Sequence, residues 1–452
     1  MQEASMQVDV VVVGGGLSGL IAARALEAGG HRVQVIEARD RVGGRTLTEF
    51  SGGATLDLGG TWIGPQQTRM VSLVEELGLQ THPQHTEGKN ILDLGGRSRA
   101  YSGTLPQLGP LALLSIHRAI GKLDEMAASL DPARPWDAPE AESWDRESTG
   151  AWIDGNVMTH LARKSMEVSV RSIFSSEPAE VSMLQFLFYV RSAGGLMRLV
   201  DVEGGAQELR IVGGAMGVSI RLVEALRQPI RFGEPVVAIE QDPEGVRVRV
   251  GSDVVSAQRV VVTVPPHLMG SVAFMPALPA RRAQLHQRMP IGSSTKIITR
   301  YPTAFWRVAG FSGEVVSDGP IVNLVFDVTD PEGTHPALVS FLLGERARRW
   351  GETGPDARRE AVIGELARFF GSQAEAPLHV VEKDWNADPH ARGCSVGLLA
   401  TGAMQACGEA LRPPCGRIHW AGTETATVWN GFMEGAVRSG ERVAAEVLGA
   451  LD

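Results

Sequence analysis

Cysteine is nearly absent from this chain: Cys394, Cys407 and Cys415 are the three in 452 residues. So few cysteines exclude a disulfide scaffold and suit a reducing compartment. Lysine is also scarce, with five among 43 basic residues, so arginine supplies the other 38. The net charge of −9 leaves no basic surface that advertises nucleic acid. No apolar run reaches about 18 residues, which excludes a spanning helix. The opening MQEASMQVDV lacks both a basic n-region and a leader-like apolar stretch. A soluble, cytoplasmic protein is expected, with no metal site and neither membrane nor nucleic acid as partner.

Hydrophobic residues at 43% and charged residues at 21% describe an ordinary globular chain. At about 150 residues per domain, two or three domains are expected. Glycine stands out: 53 residues, where average usage gives about 32. Val8 to Val13 reads as a buried parallel strand, GGGLSGL as a turn, IAARALEAGG as a helix and His31 to Glu37 as a second strand. Residues 66–78 read as another helix, and 83–205 is rich in helix-like text, including LALLSIHRAIGKLDEMAASL and VMTHLARKSMEVSV. LDPARPWDAPEAESWD is Pro-rich and reads as a surface loop. Alternation from Phe232 to Val264 predicts a strand meander with a turn at Asp242-Pro243-Glu244-Gly245. Arg417 to Ala421 predicts a last strand, and a long helix follows near Gly431 to Leu448.

Gly14-x-Gly16-x-x-Gly19 lies between the first strand and the first helix, and Glu37 closes the second strand. In that context the pattern reads as a dinucleotide fingerprint. Gly14 permits the tight turn, Gly16 leaves room for a pyrophosphate, and Gly19 lets helix and strand pack closely. Ser18 and the helix start supply donors and positive potential. Glu37 can bind a ribose diol. The text then continues ARDRVGGRT, where Arg39 and Arg45 flank Gly43 and Gly44 near the same phosphates. LDLGGTWIGP follows, with Gly60 and Thr61 where backbone can approach a flat ring. This second basic, Gly-rich turn favours FAD over NAD.

EARDRVGGRT with LDLGGTWIGPQQTRM resembles the flavin-containing amine oxidase superfamily, and most of all its monoamine oxidase branch. WAGTETATVWNGFMEGAVR resembles that branch's C-terminal flavin motif. The resemblance implies a mixed α/β fold: a Rossmann-like FAD-binding domain from 1–82, 208–285 and 388–452, and a discontinuous substrate domain from 83–207 and 286–387. It implies that Glu424 contacts the ribityl–phosphate region, that Met433 lies at the pyrimidine end of the flavin, and that Trp385 touches the cofactor. It implies an adenine contact in the meander, for which PVVAIE offers Val237. It also implies that Lys296 holds a water facing flavin N5. Gly393-Cys394-Ser395 stands where membrane-bound relatives carry Gly-Cys-Tyr, so a thioether from Cys394 to the flavin is left open. The two rings that flank the amine in the family correspond to Ser395 and Phe432, so one aromatic wall is missing. Val200, Gln207, Leu324 and Phe341 complete the expected pocket.

The activity implied is oxidative deamination of an amine without an α-carboxylate. The Cα–H passes to flavin N5, the imine hydrolyses to a carbonyl compound, and dioxygen becomes hydrogen peroxide. Polyamine, amino-acid and cyclic-amine oxidases, and dehydrogenases with another acceptor, are the alternative. An amino-acid oxidase places an arginine near the Gly59-Gly60 turn, whereas here the next arginine is Arg69. A non-catalytic carrier on the same fold is a third reading, against which Arg45, Lys296 and the C-terminal motif all stand. A homodimer is compatible with all three.

Overall fold

A computed structural model describes residues 6–103 and 108–451. Four strands, buried throughout except at Arg259, form a parallel sheet in the order Ile418–Trp420, Arg259–Val262, Val10–Val13, Val33–Ile36. Burial on both faces explains their β-branched text. The helix Leu17–Ala28 packs along the C-terminal helix Met433–Leu451, so the two ends of the chain share one core. Close approach there depends on Gly440, where a Cβ would lie 2.5 Å from the Ser18 carbonyl oxygen.

The expected meander divides between two sheets. Val236–Gln241, Val246–Val250 and Asp253–Ala257 are antiparallel neighbours, flanked by Met6–Gln7 and Ala273–Met275. The turn at Asp242 is present: the Gly245 carbonyl accepts from the Asp242 N–H at 3.0 Å. Arg259–Val262, expected to continue the meander, instead joins the parallel sheet beside Val10–Val13. A run of valines satisfies either setting, and only the distant partner strands decide it.

A seven-stranded sheet spans the other half. Its order is His379–Asp384, Ser294–Arg300, Ala337–Leu343, Leu324–Asp327, Phe311–Ser317, Lys89–Leu94, Arg97–Tyr101. Helices Pro110–Ala128, His160–Phe174 and Met183–Ala193 build the largest apolar cluster against it. The Pro-rich stretch 130–145 is no simple surface loop. It carries a short 3-10 turn at Pro135–Asp137 and the start of helix Ala141–Arg146, and Pro135, Ala141 and Asp145 are buried. Asp145 draws it inward by accepting from the Ser182 hydroxyl at 2.6 Å. Among the described residues, no helix is long and apolar enough to cross a membrane.

Candidate active site

One elongated cavity of about 490 Å³ runs from the Gly14 turn to the large sheet. Gly14 adopts φ +110°, and a Cβ there would lie 2.4 Å from Thr263 Oγ1. At Gly19 a Cβ would lie 2.0 Å from the Gly14 carbonyl oxygen, so this helix turn tolerates only glycine. Gly16 differs. A Cβ there would meet no protein atom within 4 Å, because the space beside it is cavity. The Gly43–Gly44 turn comes up to the first one: Gly43 N–H donates to the Gly15 carbonyl at 2.9 Å, and Gly44 faces Gly16. Glu37 is buried and accepts from the N–H groups of Gly15 at 2.6 Å and Arg39 at 2.9 Å. The Arg39 guanidinium donates to Asp388 at 2.7 Å. Burial pushes the Asp388 carboxyl up, but Lys383 and Arg39 override it and hold the pKa at about 2.

Ser18 ties both chain ends to this turn: its hydroxyl meets the Ser439 hydroxyl at 2.8 Å and accepts from Gly422 N–H at 3.1 Å. Arg45 forms an ion pair with buried Glu424 at 2.7 Å and donates to the Ser395 carbonyl at 2.7 Å. Burial pushes the Glu424 carboxyl up, and Arg45 pulls it below the usual range. Glu424 itself stands behind the cavity wall, while Thr423, Arg45 and Ser395 form its surface. The C-terminal helix opens onto the same space through Gly431, Phe432 and Met433, so its N-terminal positive potential reaches the cavity.

Lys296 sits on the fully buried strand Ser294–Arg300. Its ammonium donates to the Gly59 carbonyl at 2.9 Å and to Thr61 Oγ1 at 2.6 Å. Two of three N–H bonds are thereby used. The rings of Trp62 and Phe341 flank it at 5.4 and 5.3 Å. Burial lowers its pKa to about 8, against the pull of Asp57. Gly60 lines the cavity beside it, and Trp385 fixes the same loop by donating its indole N–H to the Leu58 carbonyl at 2.9 Å. Cys394 also lines this end, and burial pushes its thiol up.

The chain from Leu17 on matches a family model described as flavin containing amine oxidoreductase, over residues 17–448. The chain belongs to that family. It is 38% identical over 442 residues to a probable flavin-containing monoamine oxidase A of Dictyostelium discoideum, covering 97% of each chain. It is 37% identical to amine oxidase [flavin-containing] A of Sus scrofa, covering 99% of this chain and 86% of that one. Among solved structures, a cyclohexylamine oxidase from Brevibacterium oxydans superposes with TM-score 0.94 at 34% identity, covering 98% of this chain and 99% of that one. A putrescine oxidase bound to putrescine gives TM-score 0.95 at 34% identity, covering 98% and 100%.

Within this flavin amine oxidoreductase, Val200, Gln207, Leu324, Phe341, Ser395 and Phe432 all line the cavity. Val237 does not: it is 40% exposed, and its neighbour Val236 forms the wall. A register shift between Val236 and Ala238 breaks the alternation there. The Ser395 hydroxyl donates to the Ile173 carbonyl at 3.1 Å, facing backbone rather than open space. Tyr189 adds an aromatic ring to the cavity lining, 6.0 Å from Phe432 and 4.7 Å from Phe174. Tyr189 and the cavity-lining Glu314 escaped the sequence reading. The hydrophobic text FLFYV around Tyr189 reads as plain core. Arg69 is turned away: it donates to Glu441 at 2.9 Å and lies outside the cavity wall.

Proposed function

We propose that the enzyme oxidises an amine without an α-carboxylate, with FAD as redox group and dioxygen as terminal acceptor. The observation that carries this reading is Lys296, a buried ammonium with one N–H unclaimed among the described residues, in the same cavity that both glycine turns enter. The residues fit FAD. Space at Gly16, facing Gly44, leaves bare backbone for a pyrophosphate. Glu37 takes a ribose, Arg45 with Glu424 the ribityl–phosphate region, and Val236 the adenine side. Gly60, Thr61, Trp385, Cys394 and Met433 hold the ring end. When bound, FAD supplies the two-electron acceptor for the amine Cα–H bond.

The chain's own residues do the rest. Val200, Leu324, Phe341 and Phe432 desolvate the amine and raise its neutral fraction. Gln207 adds a polar side chain to that wall, while the Ser395 hydroxyl is spent on the Ile173 carbonyl. Lys296 offers its third N–H to a water at the ring end, where a guanidinium fork would not fit. Arg69, the first arginine in sequence after the Gly59–Thr61 turn, is paired to Glu441 outside the cavity wall, and Arg45 beside that turn is paired to Glu424, which disfavours an α-carboxylate. Overall, a primary amine, dioxygen and water give a carbonyl compound, ammonia and hydrogen peroxide. The division into an FAD part (1–82, 208–285, 388–452) and a substrate part (83–207, 286–387) follows the sheets: the parallel sheet lies in the first and the seven-stranded one in the second. Three unpaired cysteines favour a cytoplasmic location.

A peroxide-coupled panel of amines on purified yellow protein, repeated with an artificial electron acceptor, tests the reading. Peroxide production from amines and none from α-amino acids supports it; turnover in neither format with flavin bound overturns it. Acid precipitation reads the state of Cys394. Pigment in the pellet, released by Cys394→Ala, marks a thioether, and pigment in the supernatant marks reversible binding.

A further inference from the structure

The seven-stranded sheet acts as a ruler. Lys296, Phe341, Leu324 and Val316 are register partners across four adjacent strands, and all four line the cavity. At about 4.8 Å per strand, Val316 stands roughly 14 Å across the sheet from Lys296. Glu314 precedes Val316 by two residues on the strand Phe311–Ser317 and shares its cavity-facing side. Its carboxyl makes no hydrogen bond and no ion pair among the described residues. The cavity wall around it is largely apolar, with Val168, Leu199, Val200 and Val316. Asp201, which caps the helix Leu196–Val200, adds a second negative group from another element. Burial and this neighbour push the Glu314 carboxyl up to about 7, and burial pushes Asp201 up to about 6. A carboxyl placed in an apolar wall without a partner is costly, and here it faces the space where substrate must lie.

We propose that Glu314 receives a second cationic group of the substrate, so that the enzyme selects amines with a protonated nitrogen at the end remote from Lys296. This rests on the amine-oxidising reading above and names its substrate class. The reach, on the order of 10 Å once side chains are allowed for, excludes the shortest diamines and fits long-chain ones. Pairing of ammonium and carboxylate in so dry a setting is strong when the geometry is met.

The test compares 1,8-diaminooctane with octylamine, two chains of equal length that differ at one end. We expect wild-type kcat/KM to favour the diamine at least tenfold, mainly through KM. Glu314→Gln brings the ratio close to one, Glu314→Asp restores part of it, and Asp201→Asn lowers it less. A wild-type ratio near one, or a ratio unchanged in Glu314→Gln, overturns the subsite while leaving amine oxidation standing. Oxidation of neither compound, nor of any amine in the panel, with flavin bound overturns both. The wild-type ratio decides the matter even where a variant does not fold.

Discussion

Burial sets the free energy of Lys296 as well as its chemistry. Its folded pKa of about 8 lies below the ordinary 10.5. Below pH 8 the group is charged in both folded and unfolded chains, and the folded form bears the full desolvation penalty. Between pH 8 and 10.5 the folded form sheds its proton first, so the penalty fades. Lys296→Met should therefore gain about 2 kcal/mol at pH 7, after its two hydrogen bonds are counted, and cost about 1 kcal/mol at pH 10.5, where only the lost bonds remain. Denaturant unfolding at the two pH values checks this, and the same variant should oxidise amines at least tenfold more slowly. Glu424 has the opposite sign. Its lowered pKa stabilises the fold above the usual carboxylate range, and that contribution is lost as pH falls through the lowered value. Glu424→Gln leaves Arg45 without its counter-charge and should cost about 3 kcal/mol, read by denaturant unfolding, with loss of flavin on gel filtration. Lys296 was singled out by the family resemblance and by the scarcity of lysine in this chain, whereas its burial between Trp62 and Phe341 is a finding of the structure. Glu314 and Tyr189 were not legible, since what they face is decided by strands and helices far away in sequence.

At the scale of elements, two glycines of one turn separate folding from binding. Gly19 is closed in by backbone, with the Gly14 carbonyl 2.0 Å from a would-be Cβ. Gly16 has an ordinary φ of −77° and only cavity beside it. Gly19→Ala should cost about 2 kcal/mol or more by overpacking and lower the Tm of the apoprotein. Gly16→Val should leave apoprotein Tm nearly unchanged and weaken FAD at least tenfold, measured by flavin fluorescence titration. Equal FAD affinity in Gly16→Val would contradict the placement of the pyrophosphate. This strand–turn–helix unit was legible because periodicity and glycine spacing are local signals. Sheet membership is not local, which is why Arg259–Val262 left the expected meander. The Val236/Val237 exchange has the same root, a bulge that alternation alone does not reveal.

For the whole molecule, one cavity draws its wall from Val13 near the start of the chain, Lys296 and Phe341 in the middle, and Ala436 near the end. The strand Ile418–Trp420 and the helix Met433–Leu451 complete the parallel sheet and its cover. Deleting residues 417–452 should therefore abolish flavin binding altogether, not just loosen one end of the site. Free FAD at 100 times its Kd should stabilise the full chain by about 2.7 kcal/mol through mass action, seen as a rise in Tm. The most direct measurement is anaerobic mixing of the purified yellow protein with an excess of a long-chain amine, followed by flavin absorbance. Bleaching by the amine, reversed on admitting air with release of peroxide, is the predicted result. A flavin that stays oxidised with every amine offered would contradict amine oxidation by this site.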